Sequence, residues 1–187
     1  MKFLTTALPG VLVIEPDVYQ DPRGWFLETY HVKKYQEGGV PEVFVQDNCS
    51  SSIKNTLRGL HSQVVHPQGK LIRVTRGVIF DVAVDIRRGS ATFLSWVGVE
   101  LNETQFRQIY IPPGFAHGFC VLSEVAEVEY KCTDFYHPQG EVTLRWNDPA
   151  IGVQWPVTSP ILSQKDAGAL SVAELMKQLP ELESPEP

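Results

Sequence analysis

The chain has 187 residues, enough to bury a sizeable core as a single domain across residues 1–187 and too few for two domains of ordinary size. With 16 Lys plus Arg against 22 Asp plus Glu the formal charge is -6, which argues against extensive binding to a nucleic-acid backbone but leaves room for a local anion site. Cys49, Cys120 and Cys132 are odd in number and outside any CxxC spacing, so neither a disulfide framework nor a zinc site is suggested.

The start, MKFLTTALPGVLVIEP, is broken by Thr5, Thr6, Pro9 and Gly10 and is followed by no signal-peptide cleavage site. No run approaches a transmembrane helix in length, so a soluble, cytoplasmic protein with no membrane partner is expected. Val11 to Ile14 reads as a first short strand. A turn at Asp21 to Gly24 then leads into alternating Trp25 to Tyr30. His31 to Gln36 fits a short helix stopped by Gly38, Gly39 and Pro41. Val43 to Cys49 is strand-like and ends in Gln46, Asp47 and Asn48, whose side chains can cap a turn or bond the edge of a ligand.

In the central stretch, Lys70 shares its parity with Ile72 and Val74, so a strand here turns an ammonium toward the apolar side, where it needs an ion-pair partner or an anionic ligand. From Val78 to Ile86 every second residue is apolar, while the other parity carries Asp81, Asp85 and Arg87, the pattern of a half-buried strand. Phe93 to Glu100 and Gln105 to Ile111 are further strands. Pro112 to Gly114 turns the chain into a strand with His117, Phe119 and Val121 on one parity. In Val125 to Asp134, Ala126, Val128, Tyr130 and Cys132 alternate with Glu127, Glu129 and Lys131, which points Tyr130 inward. Val142 to Trp146 extends the chain after a turn at Pro138 to Gly140. Only the tail looks helical: Ser171 to Glu174 is a capping-box start followed by Leu175 and Leu179, and the final ELESPEP reads as frayed. About ten short strands with almost no helical periodicity predict an all-β, double-sheet jelly-roll barrel with a few short helices, mainly C-terminal, and an interior wide enough for one small ligand. The core is expected to span residues 1–170.

His61, in the segment RGLH, can meet Arg58, Lys70, His117 and Tyr130 inside such a barrel, giving a base, two cations and a phenol. Strict alternation puts Arg58 and His61 on opposite faces, and a bulge at Gly59 would resolve this. Metal ligation is not expected. His61 and His66 are separated by four intervening residues, no glutamate follows before Glu100, and a jelly-roll metal site would use a closer histidine pair with a carboxylate. GxGxxG, GxSxG, Walker and HExxH motifs are absent.

The stretches DPRGWFLE, FVQDN, LRGLH, PQGKLIRVTRG, FDVAVD, IPPGFAHGF, EYKCTDFY and RWNDPAIG, in this order, make the chain resemble the dTDP-4-dehydrorhamnose 3,5-epimerases, cupin-like enzymes of the dTDP-L-rhamnose pathway, from the first strand to about Asp166. The resemblance implies a dTDP-linked 4-keto-6-deoxyhexose as substrate, inverted at carbons 3 and 5 without metal or organic cofactor. It implies His61 as general base, suited to neutral pH by an imidazole pKa of ~6.5. Asp166 would be its dyad partner, Tyr130 the proton donor on the other face, and Lys70 the stabiliser of the enolate oxygen. Arg23 and Arg58 would bind the pyrophosphate, with Lys165 assisting. Gln46, Asn48 and Glu28 would meet the nucleotide end, Tyr136 would stack on the thymine, and Phe26 would pack nearby, with His117 and Glu141 completing the set. It further implies a homodimer in which the segment Arg23 to Glu28 reaches the neighbour's site. Ser62 stands where the family usually has phenylalanine. The rival readings are a monoepimerase or keto-isomerase of another dTDP-deoxysugar, and a non-catalytic sugar-nucleotide binding module.

Overall fold

The computed structural model describes residues 1–177. Strands β1 (Lys2–Thr5), β2 (Leu12–Glu15), β3 (Val18–Asp21) and β4 (Gly24–Leu27) precede the helix α1 (Val32–Glu37). There follow β5 (Gln46–Ile53), β6 (Leu57–Gln63), β7 (Lys70–Arg76), β8 (Val78–Asp85), β9 (Trp96–Asn102), β10 (Gln108–Ile111), β11 (Phe115–Val121) and β12 (Val125–Cys132). A 3-10 turn at Pro138–Gly140 leads to β13 (Glu141–Thr143) and to the helices α2 (Gln164–Ala167) and α3 (Val172–Leu175). No helix among the described residues is long and apolar enough to cross a membrane.

These strands form a double-sheet, cupin-like jelly roll. One sheet has the order β1-β2-β10-β7-β12-β5 and the other β13-β6-β11-β8-β9, while β3 and β4 form a separate hairpin. The space between the sheets is filled from both walls. Ile72, Val74, Ile109, Ile111, Ala126 and Val128 come from the six-stranded sheet, and Ile79, Ala83, Leu101, Phe115, Phe119 and Val121 from the five-stranded one. At Gly77, between β7 and β8, an added Cβ would stand 2.1 Å from the Val125 carbonyl oxygen and φ is +81°, so this tight connection requires glycine.

The alternation in β8 is real, but its sides are reversed from the expectation. Phe80, Val82, Val84 and Ile86 belong to a second cluster on the outside of the five-stranded sheet, covered by Ile151, Val153, Trp155, Val172 and Leu175. The parity of Asp81 and Asp85 faces the barrel interior with Ile79 and Ala83, and both aspartates are fully buried. A strand covered on both faces has no solvent side, so polarity alone does not tell inside from outside.

Strand limits also shift. β5 begins at Gln46, where the sequence pattern placed the strand's end, and continues through a serine run because its full length pairs with β12, from Val125↔Ile53 to Cys132↔Gln46. Phe93 and Leu94 lie in a turn, with Leu94 at φ 63°, and Phe106 at φ 57° keeps β10 from starting before Gln108. The capping box at Ser171 and Glu174 is present in both halves. α2, which the sequence reading did not anticipate, is capped by Ser163 accepting from the Asp166 amide. The proposed continuation through Leu179 and the ELESPEP end fall outside the described residues.

Candidate active site

The site begins with the irregularity in β6. Register partners are His117↔His61 and Phe119↔Arg58, so two steps along β11 match three along β6, and β6 carries one extra residue. Gly59 makes this possible: its φ is +121°, and a Cβ there would stand 2.6 Å from the Gly118 Cα and 2.7 Å from the His117 oxygen. The expected bulge is therefore present. It lets Arg58 cross the barrel rim to donate from Nε to Ser52 Oγ of β5 at 2.9 Å, while His61 lies beside His117 on the neighbouring strand.

His61 and Asp166 are paired. Nε2 of the imidazole lies 2.6 Å from Asp166 Oδ1, and the Ser163 hydroxyl donates to the other carboxylate oxygen at 2.8 Å. Burial pushes the Asp166 carboxyl up, but the bonds from His61 and Ser163 outweigh it and leave the pKa below the ordinary range. With Nε2 engaged, Nδ1 of His61 is the ring nitrogen free of partners among the described residues. A cleft of about 360 Å³ opens here, lined among others by Arg58, His61, Lys165 and Asp166.

Tyr130 stands on the facing wall. It lies on β12 opposite Asn48 and Ile72 and packs against the interior core cluster, and burial raises its phenol pKa. Lys70 opens β7 on the parity of Ile72 and Val74 and forms no ion pair among the described residues, so the salt-bridge alternative is not realised. Burial lowers its ammonium pKa, opposed by the negative potential of Cys132, Glu141 and Asp81.

Asp81 is a site residue that the sequence reading missed. His117 Nε2 lies 2.8 Å from Asp81 Oδ2, and Asp81 Oδ1 is a buried oxygen with no hydrogen-bond partner. A second His–Asp pair thus sits beside the first. The available signal was the acidic parity of FDVAVD, whose facing was misassigned. Ser163 was missed as well, although its spacing to Asp166 is that of a helix cap.

The remaining residues form a polar chain along the rim. Lys165 Nζ donates to Glu141 Oε1 at 2.7 Å, and the Tyr136 hydroxyl donates to Glu141 Oε2 at 2.9 Å. The Tyr136 amide donates to Gln46 Oε1 at 3.0 Å, and Gln46 Nε2 donates to Asn48 Oδ1 at 3.2 Å. Burial raises and the bonds from Lys165 and Tyr136 lower the Glu141 pKa, with a net lowering. Both ligand-edge amides are therefore on the rim.

Three expected residues do not join them within the single chain. Arg23 is 90% exposed and pairs with Asp21 two residues away. Phe26 is exposed on the β3–β4 hairpin, and Glu28 accepts from Lys34 at 2.9 Å. Ser62 is buried within β6 opposite Val142.

In chemical terms, the five-stranded sheet carries a carboxylate-supported imidazole at His61, and the six-stranded sheet carries the Tyr130 phenol and the Lys70 ammonium. This arrangement can remove a proton next to a carbonyl, hold the enolate and return a proton on the opposite face.

Comparison with known proteins gives the same direction. The family described as dTDP-4-dehydrorhamnose 3,5-epimerase matches residues 5–174. A dTDP-4-dehydrorhamnose 3,5-epimerase of Neisseria gonorrhoeae is 51% identical over 178 residues, covering 95% of this chain, which spans only 54% of that longer protein. The structure of the dTDP-6-deoxy-D-glucose-3,5-epimerase of Legionella pneumophila, in complex with dTDP-4-keto-L-rhamnose, is 46% identical with a TM-score of 0.92, over 98% of this chain and 99% of that one. A dTDP-4-dehydrorhamnose 3-epimerase of Streptomyces niveus is 38% identical, over 93% of this chain and 85% of that protein.

Proposed function

We propose, from the premise that this chain belongs to the dTDP-4-dehydrorhamnose 3,5-epimerase family, that it converts dTDP-4-keto-6-deoxy-D-glucose to dTDP-4-keto-L-rhamnose by proton transfer at carbons 3 and 5. The observation that carries this reading is the placement of the His61–Asp166 pair on the five-stranded side and of Tyr130 on the six-stranded wall.

Nδ1 of His61 takes the proton from the carbon next to the ketone, and Asp166 supports the imidazolium that forms. The electron pair left behind moves onto the ketone oxygen. Lys70 faces that oxygen: burial disfavours its charge in the free enzyme, and the developing enolate restores a partner, so the interaction is stronger in the transition state than with the neutral ketone. Tyr130, held protonated by burial, delivers a proton to the carbon from the other face. Inversion is complete at that carbon, and His61 and Tyr130 return to their starting states by exchange with solvent.

Arg58 and Lys165 take the pyrophosphate. Lys165 is engaged by Glu141 but has three donors to offer. Gln46, Asn48 and Tyr136 meet the nucleotide, Tyr136 by stacking, and His117 receives a sugar hydroxyl at its free Nδ1. Arg23, Phe26 and Glu28 complete the site of a second copy in a homodimer, which is supported by their exposure away from His61 in this chain. The cytoplasm is the setting proposed for this reaction.

A single inversion is the second reading, favoured by the similarity to the 3-epimerase of Streptomyces niveus. Proton NMR of dTDP-4-keto-6-deoxyglucose with the enzyme in deuterated water tests both. Exchange at carbons 3 and 5 with the L-sugar as product supports double inversion. Exchange at one carbon gives a monoepimerase, carbonyl migration a keto-isomerase, and saturable binding without exchange a binding module.

A further inference from the structure

At the mouth of the barrel, next to but outside the reacting centre, His66, Asp134 and His137 each present one ligand atom within 4.8 Å of the others. His66 Nδ1 lies 3.7 Å from Asp134 Oδ2. The two imidazoles are stacked with centroids 4.4 Å apart and 25° between their planes.

The backbones bearing these groups are pinned. Gln63, 5% exposed, donates from Nε2 to the His66 carbonyl at 2.8 Å and to the Phe135 carbonyl at 3.3 Å, and its Oε1 accepts from the His137 amide at 2.6 Å. Gln68 donates to the Asp134 carbonyl at 2.7 Å. The Phe135 amide donates to Asp134 Oδ1 at 2.8 Å, which leaves Oδ2 as the oxygen turned to His66. One buried amide thus holds both histidine segments in position, and a second bond orients the carboxylate, as partners behind metal ligands do.

We propose that His66, Asp134 and His137 form a divalent transition-metal site that clips the 64–69 segment to the 133–140 segment. Two imidazoles and one carboxylate suit Zn²⁺, Co²⁺ or Ni²⁺, whereas Mg²⁺ and Ca²⁺ prefer all-oxygen sites. Ligand atoms around a tetrahedral ion at ~2.0–2.1 Å stand about 3.3 Å apart, so binding draws atoms now up to 4.8 Å apart together by at most about 1.5 Å. The fourth position stays open to water. The site takes no part in the proton transfers, because His61, Tyr130 and Lys70 are not among its ligands. It holds the segment bearing Tyr136, so an effect on dTDP affinity follows only if Tyr136 stacks on the base as proposed above, and metal binding itself is independent of that reading.

The test is titration of the tag-free, metal-stripped full chain with Co²⁺, followed by visible absorption and calorimetry, with Mg²⁺ as comparison. One equivalent is expected to bind at micromolar concentration, with the visible bands of a low-coordinate site and no response to Mg²⁺. His137→Asn and His66→Asn should each weaken binding at least about tenfold. Asparagine tolerates the φ of 57° at position 66, and circular dichroism checks that both variants fold. Cys49 is an exposed free thiol, so Cys49→Ser must leave the affinity unchanged. No saturable Co²⁺ binding, binding insensitive to both histidine variants, or binding lost with Cys49 would each overturn the proposal.

Discussion

Replacing Asp166 by asparagine keeps the shape of the side chain and removes its charge, so it isolates what the carboxylate does for His61. The bond to be weakened is 2.6 Å long and lies at a residue 4% exposed. Hydrogen bonds to a charged group contribute ~1.5–3 kcal/mol, and each ~1.4 kcal/mol is tenfold in rate, so loss of imidazolium support alone lowers the rate by roughly 10- to 150-fold. A second effect adds to it. Ser163 Oγ donates to Asp166 Oδ2 at 2.8 Å, which favours placing the asparagine carbonyl toward Ser163 and its NH₂ toward His61 Nε2. That orientation moves the ring proton to Nδ1, the atom needed as base, so the loss should lie at the upper end of the range or beyond it. The assay is the initial rate of deuterium incorporation at carbons 3 and 5 under saturating substrate, together with the affinity for dTDP. Exchange at both carbons should fall together while dTDP binding is retained. A variant that exchanges within about threefold of the parent, under 1 kcal/mol on the same scale, would refute the dyad and leave Asp166 a helix-capping group only.

Tyr130→Phe should spare proton removal and depress formation of inverted product by at least ~10², the usual scale of a positioned acid; NMR separates washout from inversion, and full double inversion in the variant would assign the acid elsewhere. Gly59→Ala puts a methyl 2.6 Å from the Gly118 Cα at a φ of +121°, and should destabilise the fold by about 2–3 kcal/mol in urea unfolding. Gly89→Ala is the control, with φ +84° and nothing within 4 Å, and should cost less; equal losses would mean that the close approach at the bulge is not the cause. At Asp85, burial pushes the carboxyl up, but bonds from Arg87, Ser90 and Thr92 lower it from 3.8 to about 2. The group therefore contributes about 2 kcal/mol above pH ~4, and this is lost as the pH falls through about 2. The stability difference between the parent and Asp85→Asn should accordingly shrink between pH 5 and pH 2.5, and a constant difference would refute the assignment.

The sequence made the barrel legible because most strands keep a period of two, and because Tyr130 and Lys70 share parity with plainly apolar neighbours. It made the bulge legible too: Gly59 was the residue able to reconcile Arg58 with His61, and the register shift lies there. What it hid were features decided by remote cover. The outer face of β8 is apolar because Trp155, Val172 and Leu175 pack on it, some seventy residues later and more, and only that packing tells which parity of FDVAVD turns inward. Asp81 was lost with that choice. β5 has a poor strand composition and is held as an edge by its pairing with β12, so its limits could not be read locally. Roles for Glu141, Lys165 and Asp166 came through resemblance rather than pattern, since the short helix and turn that place them have little periodicity of their own.

In the proposed reaction, the two stereocentres that flank the ketone are served by one base and one acid whose positions are set by different sheets. His61 is bound to Asp166 and lies in β6 between β11 and β13, while Tyr130 lies in β12 between β7 and β5. Both side chains are carried on strands packed against the core. We expect double inversion to proceed with the sugar ring turning between steps, pivoting on a ketone oxygen held near Lys70 with the nucleotide anchored at the rim. An enzyme that stops after one inversion needs no different catalytic group, only a wall that prevents the turn. Both carbons should then share the same sensitivity to Asp166→Asn, whereas changes in the wall around the ring should alter the ratio of exchange at carbon 3 to carbon 5 and leave the faster of the two nearly unchanged.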